Sequence, residues 1–358
     1  MKKIFLVFFV WVITIYAFTF LSSTPAFFDY SYESTSMIKE NIPSIRHLLN
    51  FDGSHYQNIA HFGYIKKFQT AFFPLFPIMI NFVSFMTQSH LISALLISLL
   101  CTYLSVLVIV KLFKKPTAAI ILIFFPLSFF FLAGYTESLF LFLSLLSWHF
   151  FKEKKYLLSG ALGFLTSLSR FYGILLFPSL LLEFFLKLPK NKRLKLISYK
   201  PVVPLLLIPL GLGSYMVYLQ LIYQDPLAFF TALSLWGKST ITFPLQTIYR
   251  YFKIITTVSP TIIQYWVALL EILSLVVGLL ASLILYKQKQ FSYSLYVFLG
   301  SIIPSFTGTL QSLPRYLLVL FPIYFIKLPV KLHFPILAAS FTLQLVLLTA
   351  FLTGHFIA

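Results

Sequence analysis

The stretch Ala71–Gln88, AFFPLFPIMINFVSFMTQ, decides how the rest of the chain is arranged. It is apolar enough to enter a membrane, yet Pro74 and Pro77 stand near its start and Thr87-Gln88-Ser89-His90 closes it. Proline lacks an amide donor and resists the interior of a helix, so the segment does not read as a plain span, and its status is decided by the orientation of the rest of the chain. If it crosses, every later loop changes side. If it lies in the interface, none does.

The question arises because the whole chain reads as membrane. Of 358 residues, 59% are hydrophobic, 19% aromatic and only 10% charged, which no soluble domain matches. Apolar runs near the roughly 20 residues of a spanning helix indicate an all-α polytopic protein, whereas a barrel would show short alternating strands. The expected spans are 4–21, 91–112, 117–133, 138–151, 156–170, 173–188, 201–223, 262–286, 291–310, 315–328 and 333–354, in one integral membrane domain over 1–358. Met1-Lys2-Lys3 followed by Ile4–Leu21 resembles a signal peptide, but the apolar core is too long and Thr24-Pro25-Ala26 is a poor cleavage site, so it reads as an uncleaved first helix. The lone Cys101 excludes a disulfide within the chain.

The net charge of +18 invites a nucleic-acid reading. The basic residues fall in short clusters between apolar runs, however, as in cytoplasmic membrane loops, and the expected partner is the lipid bilayer rather than nucleic acid. With 71–88 in the outer interface, Lys2/Lys3, Lys111/Lys114/Lys115, Lys152/Lys154/Lys155, the run Lys187–Lys200, Lys287/Lys289 and Lys327/Lys331 are all cytoplasmic. That places 18 of the 27 basic residues inside and 9 outside. With 71–88 crossing, 7 lie inside and 20 outside. The positive-inside rule selects the first arrangement: eleven spans in the plasma membrane, amino terminus cytoplasmic, carboxyl terminus outside.

That topology gathers the distinctive polar residues on the outer face. Residues 22–90 form a first outer loop with juxtamembrane helices, and 224–260 a second. Asp is rare, occurring as Asp29, Asp52 and Asp225, and only Asp52 sits in a dense polar cluster, Asn50-Phe51-Asp52-Gly53-Ser54-His55-Tyr56-Gln57-Asn58. Glu137 opens a helix after a brief outer turn, where an acid also suits the helix dipole. Arg170 and Arg315 lie in short outer turns of a chain that uses Lys for nearly every inner charge. Snorkelling explains one such Arg, but two suggest planar recognition of phosphate. Lys66 and Lys67 either meet a lipid phosphate or stay solvated. Glu271 falls within a span with no partner visible in the sequence. No paired-histidine spacing, P-loop or dinucleotide fingerprint is present, so no cofactor is implied, although Asp52 and Glu137 could share a divalent ion.

An outer-face enzyme has no supply of nucleotide-activated substrates, so an activated sugar must arrive through the lipid on a polyprenyl phosphate. Transfer then needs a carboxylate to take a proton from the acceptor hydroxyl and cations to receive the departing phosphate. Asp52 with His55 and Tyr56, and Arg170 with Arg315 and Tyr316, supply these parts. A transporter would instead place charges at mid-membrane on broken helices, in related halves.

The blocks Asn50-Phe51-Asp52-Gly53-Ser54-His55-Tyr56, Ala71-Phe72-Phe73-Pro74-Leu75-Phe76-Pro77, Tyr135-Thr136-Glu137-Ser138, Leu168-Ser169-Arg170 and Pro314-Arg315-Tyr316-Leu317-Leu318 resemble the signatures of PIG-V-type mannosyltransferases. They occur in matching order over most of the chain, with Phe51 where the family usually has Trp and Phe171 where Pro often follows the Arg. The resemblance implies a GT-C-like fold, a polyprenyl-phosphate mannose donor and inversion at the sugar. It also implies a general base at Asp52 and a site role for Glu137. The acceptor stays open as a glycan or glycolipid.

Overall fold

The computed structural model describes residues 2–22, 36–38, 43–193, 196–236, 241–327 and 329–358. Asp29 and most of the expected first loop before residue 43, and Gly237-Lys238 of the second, lie outside the described residues. Among those described, all regular structure is helical and no strand occurs. The principal helices are α1 (Lys2–Ser22), α2 (Asp52–Phe62), α3 (Leu75–Thr87), α4 (His90–Lys111), α5 (Glu137–Lys152), α6 (Tyr156–Ser169) and α7 (Leu176–Lys187). They continue with α8 (Leu207–Tyr223), α9 (Pro244–Thr257), α10 (Ile263–Lys287), α11 (Phe291–Ile302), α12 (Leu313–Val319) and α13 (Val330–Leu352).

Five helical runs are long and apolar enough to cross a membrane: Lys2–Leu21, His90–Lys111, Tyr199–Tyr223, Ile263–Lys287 and His333–Leu352. α3 has 13 residues, about 20 Å at 1.5 Å per residue, short of a roughly 30 Å hydrocarbon core. It buries Phe76, Pro77 and Ile80 and exposes Ile78, Phe82, Phe85 and Met86. One apolar face thus packs on the protein and another, also apolar, is left exposed.

Several expected spans are interrupted at proline, 291–310 at Pro304 among them. The run 117–133 forms a helix over Pro116–Ile123, then irregular backbone from Phe124 around Pro126, then a 3-10 turn over Ser128–Phe131. The run 315–328 forms only α12 before Pro322 opens a second 3-10 turn. Irregular backbone within a membrane protein must have its carbonyls satisfied by the protein itself. Here Ser128 Oγ donates to Ile123 O at 2.6 Å, and Thr102 Oγ1 to Phe131 O at 2.7 Å. Tyr324 Oη donates to Leu318 O at 2.6 Å.

The described chain forms two compact units, each assembled from separated segments. Unit 1 comprises Met1–Ile65, Pro74–Phe142 and Lys327–Ile357. At its centre the fully buried Gln344 of α13 accepts from Trp11 Nε1 of α1 at 3.1 Å and donates to Phe125 O at 3.0 Å and to Ser128 Oγ. One amide thus ties two long helices to the broken segment, a use of polar residues suited to a low-dielectric interior.

Unit 2 comprises Lys66–Phe73 and Leu143–Ile326. α6 packs at backbone contact against α8 and against the 3-10 segment that precedes it: a Cβ added at Gly211 would lie 2.4 Å from Phe164 O, and one at Gly160 2.1 Å from Pro204 O. Small residues at such crossings give the close approach that apolar helices in lipid need. α10 and α11 are joined by Ser282 and Ser294, each hydroxyl donating to the other's carbonyl at 3.0 and 2.8 Å. α9, in the expected second outer loop, buries Thr247 and Tyr251 and exposes Leu245, Tyr249 and Phe252.

Candidate functional site

The polar island becomes α2, a helix with little apolar face of its own. Every residue from Gly53 to Ala60 is nevertheless buried. A polar helix is tolerated there because its side chains are engaged. Gln57 Oε1 accepts from Ser36 Oγ at 2.8 Å and Asn58 Oδ1 from Met37 N at 2.9 Å, so these two hold the loop before the helix. Ser54 Oγ donates to Leu49 O at 2.8 Å. Tyr56 packs edge-on against Phe76 with ring centroids 5.3 Å apart. Asp52, half-buried, starts the helix, where the dipole favours an anion. Burial lowers the basicity of His55 below the ordinary histidine value, while the charge of Asp52 pulls the other way. His55 is therefore neutral at pH 7.

The turn that presents Asp52 is strained and clamped. Phe51 has φ 57° and ψ −116°, a conformation costly for any residue with a Cβ. Its ring sits 6.0 Å from Phe351 and 5.5 Å from Phe356. Asn50 Nδ2 donates to Phe351 O at 3.0 Å. From the other side, Gly134 N donates to Leu48 O at 3.1 Å and Tyr135 Oη to Asn50 O at 2.6 Å. A Cβ at Gly134 would lie 2.8 Å from the Leu49 side chain, so glycine is required at the contact. Two residues beyond Tyr135, Glu137 begins α5 and is 1% exposed. Unit 1 thus fastens together the two turns, 85 residues apart, from which Asp52 and Glu137 start their helices.

Within unit 2 the two arginine-bearing turns also meet. The Arg170 guanidinium lies 5.4 Å from the Tyr316 ring centroid, and the Tyr172 and Tyr316 rings are 4.6 Å apart. Arg315 is 5% exposed, with Nη2 3.5 Å from Ser312 Oγ. Lys66 is exposed, 6.0 Å from the Phe68 ring centroid. Lys67 forms a 3.0 Å ion pair with Asp225, whose carboxyl it holds below the usual carboxylate range. No protein-family model, curated protein or solved structure matches the chain.

The partner of Glu271 is Tyr251 of α9, whose hydroxyl donates to the buried Glu271 carboxylate. Tyr251 Oη also lies 3.0 Å from Thr309 Oγ1 and accepts from Leu310 N at 2.9 Å. Tyr135, Tyr172 and Tyr251 are residues to which sequence reading gave no role. Tyr135 was quoted within a motif and the other two stand beside residues that were singled out, but run-length and charge reasoning gives a tyrosine no role until its hydroxyl has an address. Among the described residues no group of three His, Cys, Asp or Glu is placed to hold a metal ion. The chemistry on hand in unit 1 is a half-buried carboxylate at a helix start near a neutral histidine, with a buried second acid starting the helix from the turn clamped to it. In unit 2 it is two arginines on turns that meet, one of them against a tyrosine ring.

Proposed function

We propose that the protein transfers a hexose, mannose in the first instance, from a polyprenyl-phosphate donor to a hydroxyl on a glycan or glycolipid at the outer face of the plasma membrane. The observation that carries this reading is the Tyr135–Asn50 clamp. It spends a buried hydrogen bond and a strained Phe51 on aiming one half-buried aspartate, which a purely structural turn has no reason to do. In this reading Asp52 takes the proton of the acceptor hydroxyl as its oxygen bonds to the anomeric carbon. The bond from that carbon to the phosphate oxygen breaks, and the phosphate leaves with the electron pair. A carboxylate of ordinary basicity suffices where the transition state is oxocarbenium-like and the proton departs late. Glu137 supports the acceptor side, His55 and Tyr56 line the sugar, and Arg170, Arg315, Tyr316 and Lys66 are assigned to the donor phosphate. The GT-C-like arrangement of eleven spans belongs to the same proposal.

The test is release of sugar from radiolabelled polyprenyl-phosphate mannose by purified protein in host lipid extract. Wild type should transfer label, and Asp52→Asn should lose at least 10²-fold in rate while eluting as folded protein. Turnover retained by the variant would overturn the base assignment. The competing reading is a lipid or polysaccharide transporter, which Glu271 buried within α10 favours. It predicts movement of labelled lipid between leaflets with no transfer of any sugar.

A further inference from the structure

The pair of arginine turns contains one group that the proposed chemistry has not used. Tyr172 is 6% exposed, and its hydroxyl is buried with no hydrogen-bond partner among the described residues. Nearly all buried hydroxyls are satisfied, because taking one out of water without a partner is unfavourable. Phenylalanine would fill the same space without that cost. The ring is held by Tyr316 at 4.6 Å, and Tyr316 in turn carries the Arg170 guanidinium at 5.4 Å. Burial first, then the neighbouring Tyr316, pushes the pKa of the Tyr172 hydroxyl well above the ordinary tyrosine value, with Arg170 opposing. The hydroxyl therefore remains protonated and able to donate. Arg170, half-buried at the mouth of this cluster, offers a planar fork of donors that matches phosphate oxygens. A protonated phenol beside a guanidinium suits an anion with several acceptor oxygens and suits a neutral sugar hydroxyl less well.

We propose that the Tyr172 hydroxyl binds substrate: together with Arg170 and the ring of Tyr316 it forms a site for the phosphoryl oxygens of a lipid-linked phosphate ester. The inference rests on the glycosyl-transfer reading only in taking that lipid to be a polyprenyl phosphate. The same headgroup chemistry is carried by bulk phospholipid, and the two sources are separated by experiment.

The experiment compares purified wild type with Tyr172→Phe in neutral detergent, by thermal unfolding and by equilibrium binding. The probes are a polyprenyl monophosphate, the polyprenol of equal length, and phosphatidylglycerol. Without lipid, Tyr172→Phe should unfold at or above the wild-type temperature, since the substitution removes a buried hydroxyl and keeps the ring. With polyprenyl monophosphate, the wild-type affinity should exceed that of the variant by about tenfold, the worth of one hydrogen bond to a charged group. Polyprenol should bind the two proteins equally. A comparable wild-type preference for phosphatidylglycerol would support the phosphate site and assign it to bulk lipid. Equal affinity of wild type and variant for every phosphate would overturn the proposal, as would a wild type that does not prefer the monophosphate to the alcohol. A variant that unfolds at lower temperature without lipid would also overturn it, by showing that the hydroxyl is satisfied within the protein. Phosphate binding with no sugar transfer would instead sink the transferase reading and leave this site standing.

Discussion

At the scale of single residues, the position of Asp52 depends on groups that never touch a substrate. Its main chain follows Phe51, a residue at positive φ, and the local strain persists only because neighbours over-determine the turn. Tyr135 supplies the shortest of those restraints, 2.6 Å to Asn50 O. Tyr135→Phe keeps the ring, which packs 4.9 Å from Phe130, and leaves the Asn50 carbonyl buried without this donor. The expected cost is about 1 kcal/mol of stability, measured by thermal unfolding in detergent. If the hydrogen bond aims Asp52, sugar transfer should fall by roughly tenfold or more, since small misplacements of a reacting group are expensive. Transfer at the wild-type rate with the stability loss present would mean that the clamp holds the fold and not the carboxylate.

At the scale of elements, what the sequence made legible and what it hid have a common cause. Long apolar runs flanked by lysines were readable as helices because hydropathy alone decides them, and α1, α4, α10 and α13 lie where the runs lie. Run length is blind to what a single proline does inside an apolar stretch, and so 117–133 and 315–328 read as uniform spans. Pro126 and Pro322 interrupt them, and the freed carbonyls find Ser128, Thr102 and Tyr324 at long or short sequence separation. The residues of the candidate site were legible as an unusual cluster of types. Their partners were not, because Tyr135 and Asn50 are brought together only by packing. The same holds for α9. Its amphipathic pattern is legible in the sequence, but its attachment is made by Tyr251 to Glu271, Thr247 Oγ1 to Ser305 O at 2.7 Å and Arg250 Nη1 to Gly308 O at 3.2 Å. Tyr251→Phe removes one donor from a buried carboxylate and should cost about 2 kcal/mol in thermal unfolding. Adding Glu271→Gln to that variant should recover part of the loss, because the group left behind is then neutral. A Tyr251→Phe protein as stable as wild type would show that α9 is held without help from the Tyr251–Glu271 hydrogen bond.

At the scale of the whole molecule, the distribution of lysine decides on which side the chemistry stands, and the single cysteine makes that testable. Cys101 is buried in α4, so Cys101→Ser gives a background in which one introduced thiol reports its own side. Thr256 and Lys287 are both exposed, near the end of α9 and at the end of α10. Between them α10 runs for 25 residues, about 38 Å, enough to cross a roughly 30 Å core. If 71–88 lies in the outer interface, Thr256→Cys reacts with a membrane-impermeant maleimide on intact cells. Lys287→Cys then reacts only after the cells are opened. The reverse pattern would mean that 71–88 crosses, that 20 of 27 basic residues face outward, and that Glu137, Arg170 and Arg315 face the cytoplasm while Asp52 alone stays on the side of a lipid-borne sugar displayed outside. Labelling of both positions on intact cells would mean that α10 does not cross at all, despite its length. Only the first pattern puts the segment after Asp225 on the face where the proposed donor waits, and two independent features predict it: the charge bias of the loops and the 13-residue length of α3, short for a crossing.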